Sequence, residues 1–369
     1  MRNNLLNFDV GCFSANYQSA REAFLSTLQH AGKSHLLHME TFTHPLTGPN
    51  GESLTCEFAI LGDLQLATQV LVLQSSTHGV EGFAGSAIQI DCISPFYQMV
   101  QENQSLAIVL IYAINPWGFA WLRRTDHEGI DTNRNFVDFT SPPSQKPEQK
   151  RLLQHMLALK KNDFSNLSQL WDDCGLDVFV NQISYGQYEY PSLICYGGKA
   201  PGWSRQTLEK ITNHSIFTNA QQIVVIDLHT GLGPYGYGEI INDHIPDTPG
   251  FRWAEKLFGA NAKSALLGES SSAEKSGLID YHWHKIIGDR GCFVTLEFGT
   301  YNLQALFKNL FDEQAYQNTM TQQSISRDLS APEVKALKAF FYPAEPSWQE
   351  QVLFRGRQAA AMALQGMGL

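Results

Sequence analysis

Three short strings carry side chains that could act together on a metal-activated water: His78-Gly79-Val80-Glu81, Asp227-Leu228-His229 and Thr295-Leu296-Glu297. They lie far apart in the chain, and each follows a run of β-forming residues. Each sets a metal-binding or proton-transferring group at the end of a predicted strand. Two imidazoles and one carboxylate form a three-ligand zinc shell with an open position, as catalytic zinc requires. On this reading His78, Glu81 and His229 hold one zinc ion. A further carboxylate beside that shell, Glu297, could take a proton from the activated water. The pattern predicts a zinc-dependent hydrolase.

Each string also has a blander reading. A His-x-x-Glu pair arises often by chance, and on a helix it places the two side chains one turn apart on one face. Here Gly79 and Gly82 flank the pair, so a turn leaving a strand is expected, with the backbone able to approach an ion closely. Asp227 lies two residues before His229, on the same strand face. It could orient a ligand; otherwise it anchors a loop and His229 is a hydrogen-bonded core residue. Glu297 sits among Val294, Leu296 and Phe298. A carboxylate there is costly unless paired or functional, and partial burial would raise its pKa into the range of a general base. The alternative is a salt bridge to an arginine. A fourth string, Asn115 to Phe136, supplies Arg123, Arg124, Asn133 and Arg134. An arginine's planar fork suits a carboxylate, asparagine adds a neutral donor, and a second arginine could stabilise an oxyanion. Surface ion pairs of little energetic weight are the alternative.

The elements that must position these groups are short apolar runs alternating with helical stretches. Gln69–Ser75, Ala107–Ile114, Ile223–Leu228 and Cys292–Phe298 read as strands covered on both faces, and a further strand is expected at 54–61. Helices are expected at 15–31, at 82–100 with an end or bend near Pro95, at 147–161, at 249–266 and at about 347–365. Thr248 caps the 249–266 helix and Pro249 takes its first turn. The alternation predicts an α/β fold: a mixed, mostly parallel twisted sheet between layers of helices, forming a single domain over 1–369. Sites in such sheets gather beyond the strands' carboxyl ends, where all the candidate ligands lie. Residues at about 140–220 are expected as an insertion. Its Tyr185–Gly198 stretch, rich in tyrosine and turn formers, forms either a wall or lid over the site or a surface feature without a catalytic role. Residues 331–369 are expected to begin as strand or loop and end in a helix.

Bulk properties narrow the class. The 369 residues are 43% hydrophobic and 17% charged, enough for a sizeable core. The net charge is −10, from 36 acidic and 26 basic residues, and no long basic run occurs. Non-specific nucleic-acid binding is not expected. The six cysteines form no Cys-x-x-Cys pair and read as reduced thiols. The first nine residues lack the apolar stretch and cleavage site of a signal peptide, and no apolar window of about 18 residues is present. A soluble, cytoplasmic protein with no membrane partner is expected. No Gly-x-Ser-x-Gly elbow suggests a serine hydrolase.

In this order, His-x-x-Glu, Asn-Pro-x-Gly leading to Asn-Arg-Asn-Phe, a strand-end His and a strand-borne Glu resemble the zinc carboxypeptidase (M14-type) superfamily. The strings Thr77 to Ser86, Asp131 to Phe136 and Asp227 to Gly233 look especially like its DUF2817 branch, and the likeness runs from about residue 15 to 365. The Asp-x-His form is also similar to the aspartoacylase and succinylglutamate desuccinylase arm. The resemblance implies a zinc carboxypeptidase-like three-layer fold, with His78, Glu81 and His229 as ligands of one zinc ion and Glu297 as general base and acid. It implies that Asn133 and Arg134 grip the substrate's terminal carboxylate. Arg124, seven residues before Asp131, matches the arginine that polarises the scissile carbonyl, with Arg123 as the alternative. The family's capping tyrosine has Tyr281, Tyr235 and Tyr237 as candidates, and Ser276 to Tyr281 resembles the specificity-pocket strand.

The function expected is hydrolysis of an amide bond next to a free carboxylate in a small peptide. The nearest rival is deacylation of an N-acyl amino acid with the same metal chemistry. A non-catalytic binding protein on the same fold is the rival from another class, disfavoured because ligands, base and clamp all occur together.

Overall fold

The computed structural model describes residues 8–31, 35–158, 169, 171–323 and 326–369. Its centre is an eight-stranded sheet in the order β1-β2-β4-β3-β5-β8-β6-β7. The strands are β1 (Leu37–Thr47), β2 (Ser53–Leu61), β3 (Gln69–Ser75), β4 (Leu106–Tyr112), β5 (Gln222–Tyr235), β6 (Gly238–Ile241), β7 (Ala262–Lys263) and β8 (Gly291–Gly299). β4, β3, β5 and β8 run parallel, while β1, β2 and the β6–β8 pairing add antiparallel edges. This is the mixed, mostly parallel sheet that the apolar runs predicted.

Those runs are apolar throughout because each strand feeds two cores. Leu71, Leu73, Ile108, Leu110, Val224 and Ile226 pack under one helical layer. Val70, Val72, Ala107, Val109, Ile223 and Val225 pack under the other. The first layer includes helices Tyr17–Ala31, Gly82–Glu102 and Pro346–Gly366; the second includes Trp203–Ile211 and Asp280–Ile287. β3 leads through Gly82–Glu102 to β4 on one side of it, and β5 lies on its other side. The chain thus changes direction across the sheet at β3 and β5, and such a switch opens a crevice at the carboxyl ends of the strands.

Several boundaries differ from the sequence reading. The helix expected at 82–100 is Gly82–Glu102; it does not end near Pro95, which lies inside it. The helix at 249 stops at Phe258 because Gly259 adopts φ +56°, although Thr248 caps it and Pro249 opens it as expected. Residues 332–341 are a helix, not strand or loop. The helix at 147 is described to Ala158; residues 159–161 lie outside the described residues, as does the segment 1–7 considered for a signal peptide. β5 does not stop at Leu228. It runs on to Tyr235, with its register to β8 shifting after Thr230, where Gly231 and Gly233 take positive φ. His229 and Glu297 are therefore register partners inside adjacent strands. Among the described residues, no helix is long and apolar enough to cross a membrane. All six cysteines are free thiols.

A third apolar cluster lies apart from the two sheet cores. It joins helices Pro147–Ala158 and Leu176–Ser184 to helices Leu303–Gln323 and Pro332–Phe341, through residues such as Leu153, Phe179, Phe307 and Leu337. It roofs the crevice.

Candidate active site

The turn after β3 presents the first two candidate ligands, His78 and Glu81. Ser76 leaves the strand with φ +62°, and His78 precedes a single 3-10 turn, Gly79–Glu81, in which Glu81 N–H donates to the His78 carbonyl (3.1 Å). The turn folds both side chains to one side, so His78 Nδ1 lies 2.8 Å from Glu81 Oε1. Gly79 is needed here, since a Cβ would stand 2.1 Å from the Gly118 carbonyl carbon. The loop that crowds it is bonded to the turn: Gly79 N–H donates to the Arg124 carbonyl (3.2 Å) and Val80 N–H to that of Arg123 (2.8 Å). The cation string is thereby set beside the ligand string.

His229 comes from β5, with Nδ1 3.2 Å from Glu81 Oε2. Among the described residues, His78, Glu81 and His229 form the one group whose donor atoms could share a metal ion, all within 4.8 Å of one another. The donor set fits zinc, with two imidazole nitrogens, one carboxylate and room for a further ligand. The far nitrogens support that assignment. His229 Nε2 lies 2.7 Å from Asp227 Oδ2, and Asp227 is itself held by Thr77 Oγ1 (2.9 Å). His78 Nε2 lies 3.1 Å from Asp131 Oδ1. Carboxylates on the far nitrogens fix the tautomer that turns Nδ1 toward a metal.

Electrostatics follow from this packing. Burial would raise the Glu81 pKa, but His78 and His229 outweigh it and hold it well below the usual carboxylate range. Burial opposes protonation of His229; Asp227 and Glu81 outweigh that too, so its pKa stands well above the ordinary value. An arriving dication displaces such a proton. Asp131 resists burial through Arg124, Arg134 and His78 and stays ionised far below its usual range.

Glu297 is 7% exposed, and its Oε1 accepts from Leu232 N–H (3.1 Å). Burial, reinforced by the Glu81 charge, pushes its pKa up to about 7. Arg124 pairs with Asp131 and reaches within 2.8 Å of His78 Nε2. That nitrogen cannot donate to Asp131 and accept from Arg124 at once. With Nδ1 turned to a metal, Nε2 would donate to Asp131, which would leave the outer Arg124 nitrogen for another acceptor. Asn133 Oδ1 accepts from Ile279 N–H (2.9 Å). Arg134 is 1% exposed and fixed by Nε to the Ser184 carbonyl (2.9 Å) and Nη1 to the Asn133 carbonyl (2.6 Å). Gly277, at φ +68°, lets the chain pass the Arg134 carbonyl, where a Cβ would stand at 2.3 Å.

One cavity, with an accessible volume of about 90 Å³, is lined by His78, Glu81, His229, Glu297, Arg124, Asn133 and Arg134 together. Four other sequence candidates, Arg123, Tyr281, Tyr235 and Tyr237, are not brought there. Arg123 is buried in an ion pair with Glu313 (3.0 Å) and a bond to Gln314 (3.2 Å), so its head is committed to the roof. Tyr281 lies on the outer side of its helix, 38% exposed, with its hydroxyl donating to the Lys275 carbonyl (3.1 Å). Tyr235 bonds Glu345 (2.9 Å), and Tyr237 is 45% exposed. Among the described residues, no tyrosine lines the cavity.

Three other residues at the site were not assigned from the sequence: Asp131, behind His78, and Lys275 and Asp243, on the cavity wall. Asp131 orients His78; its signal was its place three residues before Arg134 in the Asp-Thr-Asn-Arg string. Lys275 and Asp243 also face the cavity. Burial lowers the Lys275 pKa against the pull of Asp243, and raises that of Asp243 against the pull of Lys275. Nothing local in the sequence marks either one.

A family model described as "Protein of unknown function (DUF2817)" matches residues 13–355. The chain belongs to the DUF2817 family. No curated protein matches this DUF2817 chain. Among solved structures, it is similar to a carboxypeptidase A from Helicoverpa armigera, at 11% identity over 92% of this chain and 77% of that one, with a TM-score of 0.45. It is similar to bovine thrombin-activatable fibrinolysis inhibitor, at 11% identity over 98% and 100% of the two chains, TM-score 0.45. An aspartoacylase family protein from Mesorhizobium loti is similar at 14% identity over 80% and 69%, TM-score 0.36.

Proposed function

We propose that this protein is a zinc-dependent amidohydrolase that cleaves an amide bond next to a free carboxylate, with metallocarboxypeptidase-type chemistry. The observation that carries the reading is one cavity holding a three-donor metal set, a carboxyl poised near neutrality and two arginines. A single zinc ion held by Nδ1 of His78 and His229 and by the Glu81 carboxylate would supply an activated water and a polarised carbonyl.

The chain's own residues do the rest. Asp131 and Asp227 hold the imidazoles in the metal-facing tautomer. Glu297 takes a proton from the attacking water and returns it to the departing nitrogen, and a pKa near 7 suits both transfers. The released nitrogen of Arg124 donates to the carbonyl oxygen as negative charge gathers there. Arg134, with Asn133 beside it, receives the carboxylate of the leaving amino acid and so sets the bond in register. Glu297→Gln keeps the size and position of this side chain but removes the base. Zinc content by elemental analysis should be unchanged, while kcat falls by about three orders of magnitude or more. Turnover close to the parent would remove Glu297 from this role, and full-length protein that takes up no zinc would favour a binding protein on the same fold.

A further inference from the structure

Resting on the amidohydrolase reading, the lining of the cavity says which acyl group the substrate carries. The lining is divided by chain segment. The segments at 124–134 and 241–278 bring Arg124, Asn133, Arg134, Asp243 and Lys275. The roof brings Val180, Leu303, Leu306, Phe307, Leu310 and Phe341, and among the described residues no roof residue on the cavity is charged. Phe307 and Phe341 are almost wholly buried, at 3% and 2%. The apolar wall starts beside the base. The Phe341 ring stands 2.9 Å from where a Cβ on Gly231 would be, and the same point is 3.7 Å from Glu297 Oε1. A group joined to the attacked carbonyl on the side away from the leaving amino acid therefore meets hydrocarbon within one or two bonds.

Two further facts limit that group. The accessible volume is about 90 Å³, on a scale where one water needs roughly 10–15 Å³. That admits a short chain beneath the roof, and the cavity opens past Val180 and Leu303 into a larger cleft. Among the described residues, no roof residue on the cavity carries a negative charge to meet an ammonium, and desolvating one against this wall without a partner is costly. We infer that the substrate is a small N-acyl amino acid whose acyl half is a short, uncharged, apolar chain lying against Leu306, Phe307, Leu310 and Phe341. Unblocked dipeptides and polypeptide C-termini are disfavoured.

The test is an acyl-length series, from acetyl through butanoyl and hexanoyl to decanoyl, on a panel of amino acids. It is run on the zinc-loaded full-length protein, with unblocked dipeptides and an unstructured polypeptide alongside. Binding of the same compounds to zinc-loaded Glu297→Gln is measured by calorimetry, which needs no turnover. Affinity and kcat/KM should climb about fourfold per added methylene until the wall is covered, then drop. Dipeptides and polypeptide should fall at least about a hundredfold below the best acyl compound. Val180→Trp, at a half-buried position on the rim, should move the optimum to shorter chains, and Leu303→Ala to longer ones. A flat response to length across the panel, or polypeptide handled as well as the best acyl compound, overturns the inference. Length-dependent binding with no hydrolysis by the parent would keep the acyl site and sink the hydrolase reading instead.

Discussion

The floor and the roof of the cavity are built on opposite principles. The floor, from β3, β5 and β8 and the loop 123–134, is polar, and its side chains constrain one another. His78 is held from both ring nitrogens, Glu81 bridges two histidines and a backbone N–H, and Asp131 serves His78, Arg124 and Asn133. The face that the roof turns to the cavity is apolar, and its rings pack edge to face, as Phe179 does against Trp171 and Phe307. A hydrogen-bonded floor tolerates few substitutions because a buried partner left unsatisfied costs the full desolvation penalty. A hydrocarbon roof can be resized while the chemistry beneath it is kept.

The sharpest way to break this contrast is to remove one floor ligand. His229→Ala should weaken zinc binding by more than about a hundredfold, beyond the usual cost of losing a supporting carboxylate; competition against a chelator of known affinity measures it. A variant that keeps its zinc would undo the floor as described. Next comes the roof. Phe307→Ala should lower stability by about 3–5 kcal/mol, read from the urea midpoint, with zinc affinity unchanged. A matching loss of zinc affinity would show the two regions to be one unit.

The smallest effect concerns pH. Glu297 has a folded pKa of about 7, above its value of about 4.3 in an unfolded chain. The folded state therefore binds the extra proton, and the stability it confers is complete below the unfolded value. It is lost as pH rises through the folded one. The metal-free protein should lose stability over that window, and Glu297→Gln should flatten the loss. With zinc bound the base ionises at lower pH, so the acid limb of kcat/KM should sit below 7. An unchanged stability profile in Glu297→Gln would place the titration on another group, such as Asp126, which burial also pushes up to about 7.

This division also explains what could be read from the sequence. His78, Glu81, His229 and Glu297 stood out because chemical residue types interrupt strands that are otherwise apolar for two-sided burial. Their convergence needs only adjacent parallel strands, which the alternation of elements implied. The roof was opaque because the apolar stripe of Leu303–Gln323 faces other helices and a cavity, and its pattern does not say which. Arg123 and Arg124 are neighbours of one type, and only the fold turns one inward and the other to Glu313. Lys275 and Asp243 lie where irregular backbone, not periodicity, decides the direction of the side chain.

One linkage crosses the boundary. Arg123 joins Glu313 on the roof helix, while its backbone carbonyl receives Val80 of the ligand turn. Arg327 grips the same Glu313 (2.6 Å) and the carbonyls of Trp121 and Leu122. The middle of Leu303–Gln323 is thus riveted to the strap that carries Arg124. Leverage on that helix would be transmitted straight to the Arg124 guanidinium on the cavity wall.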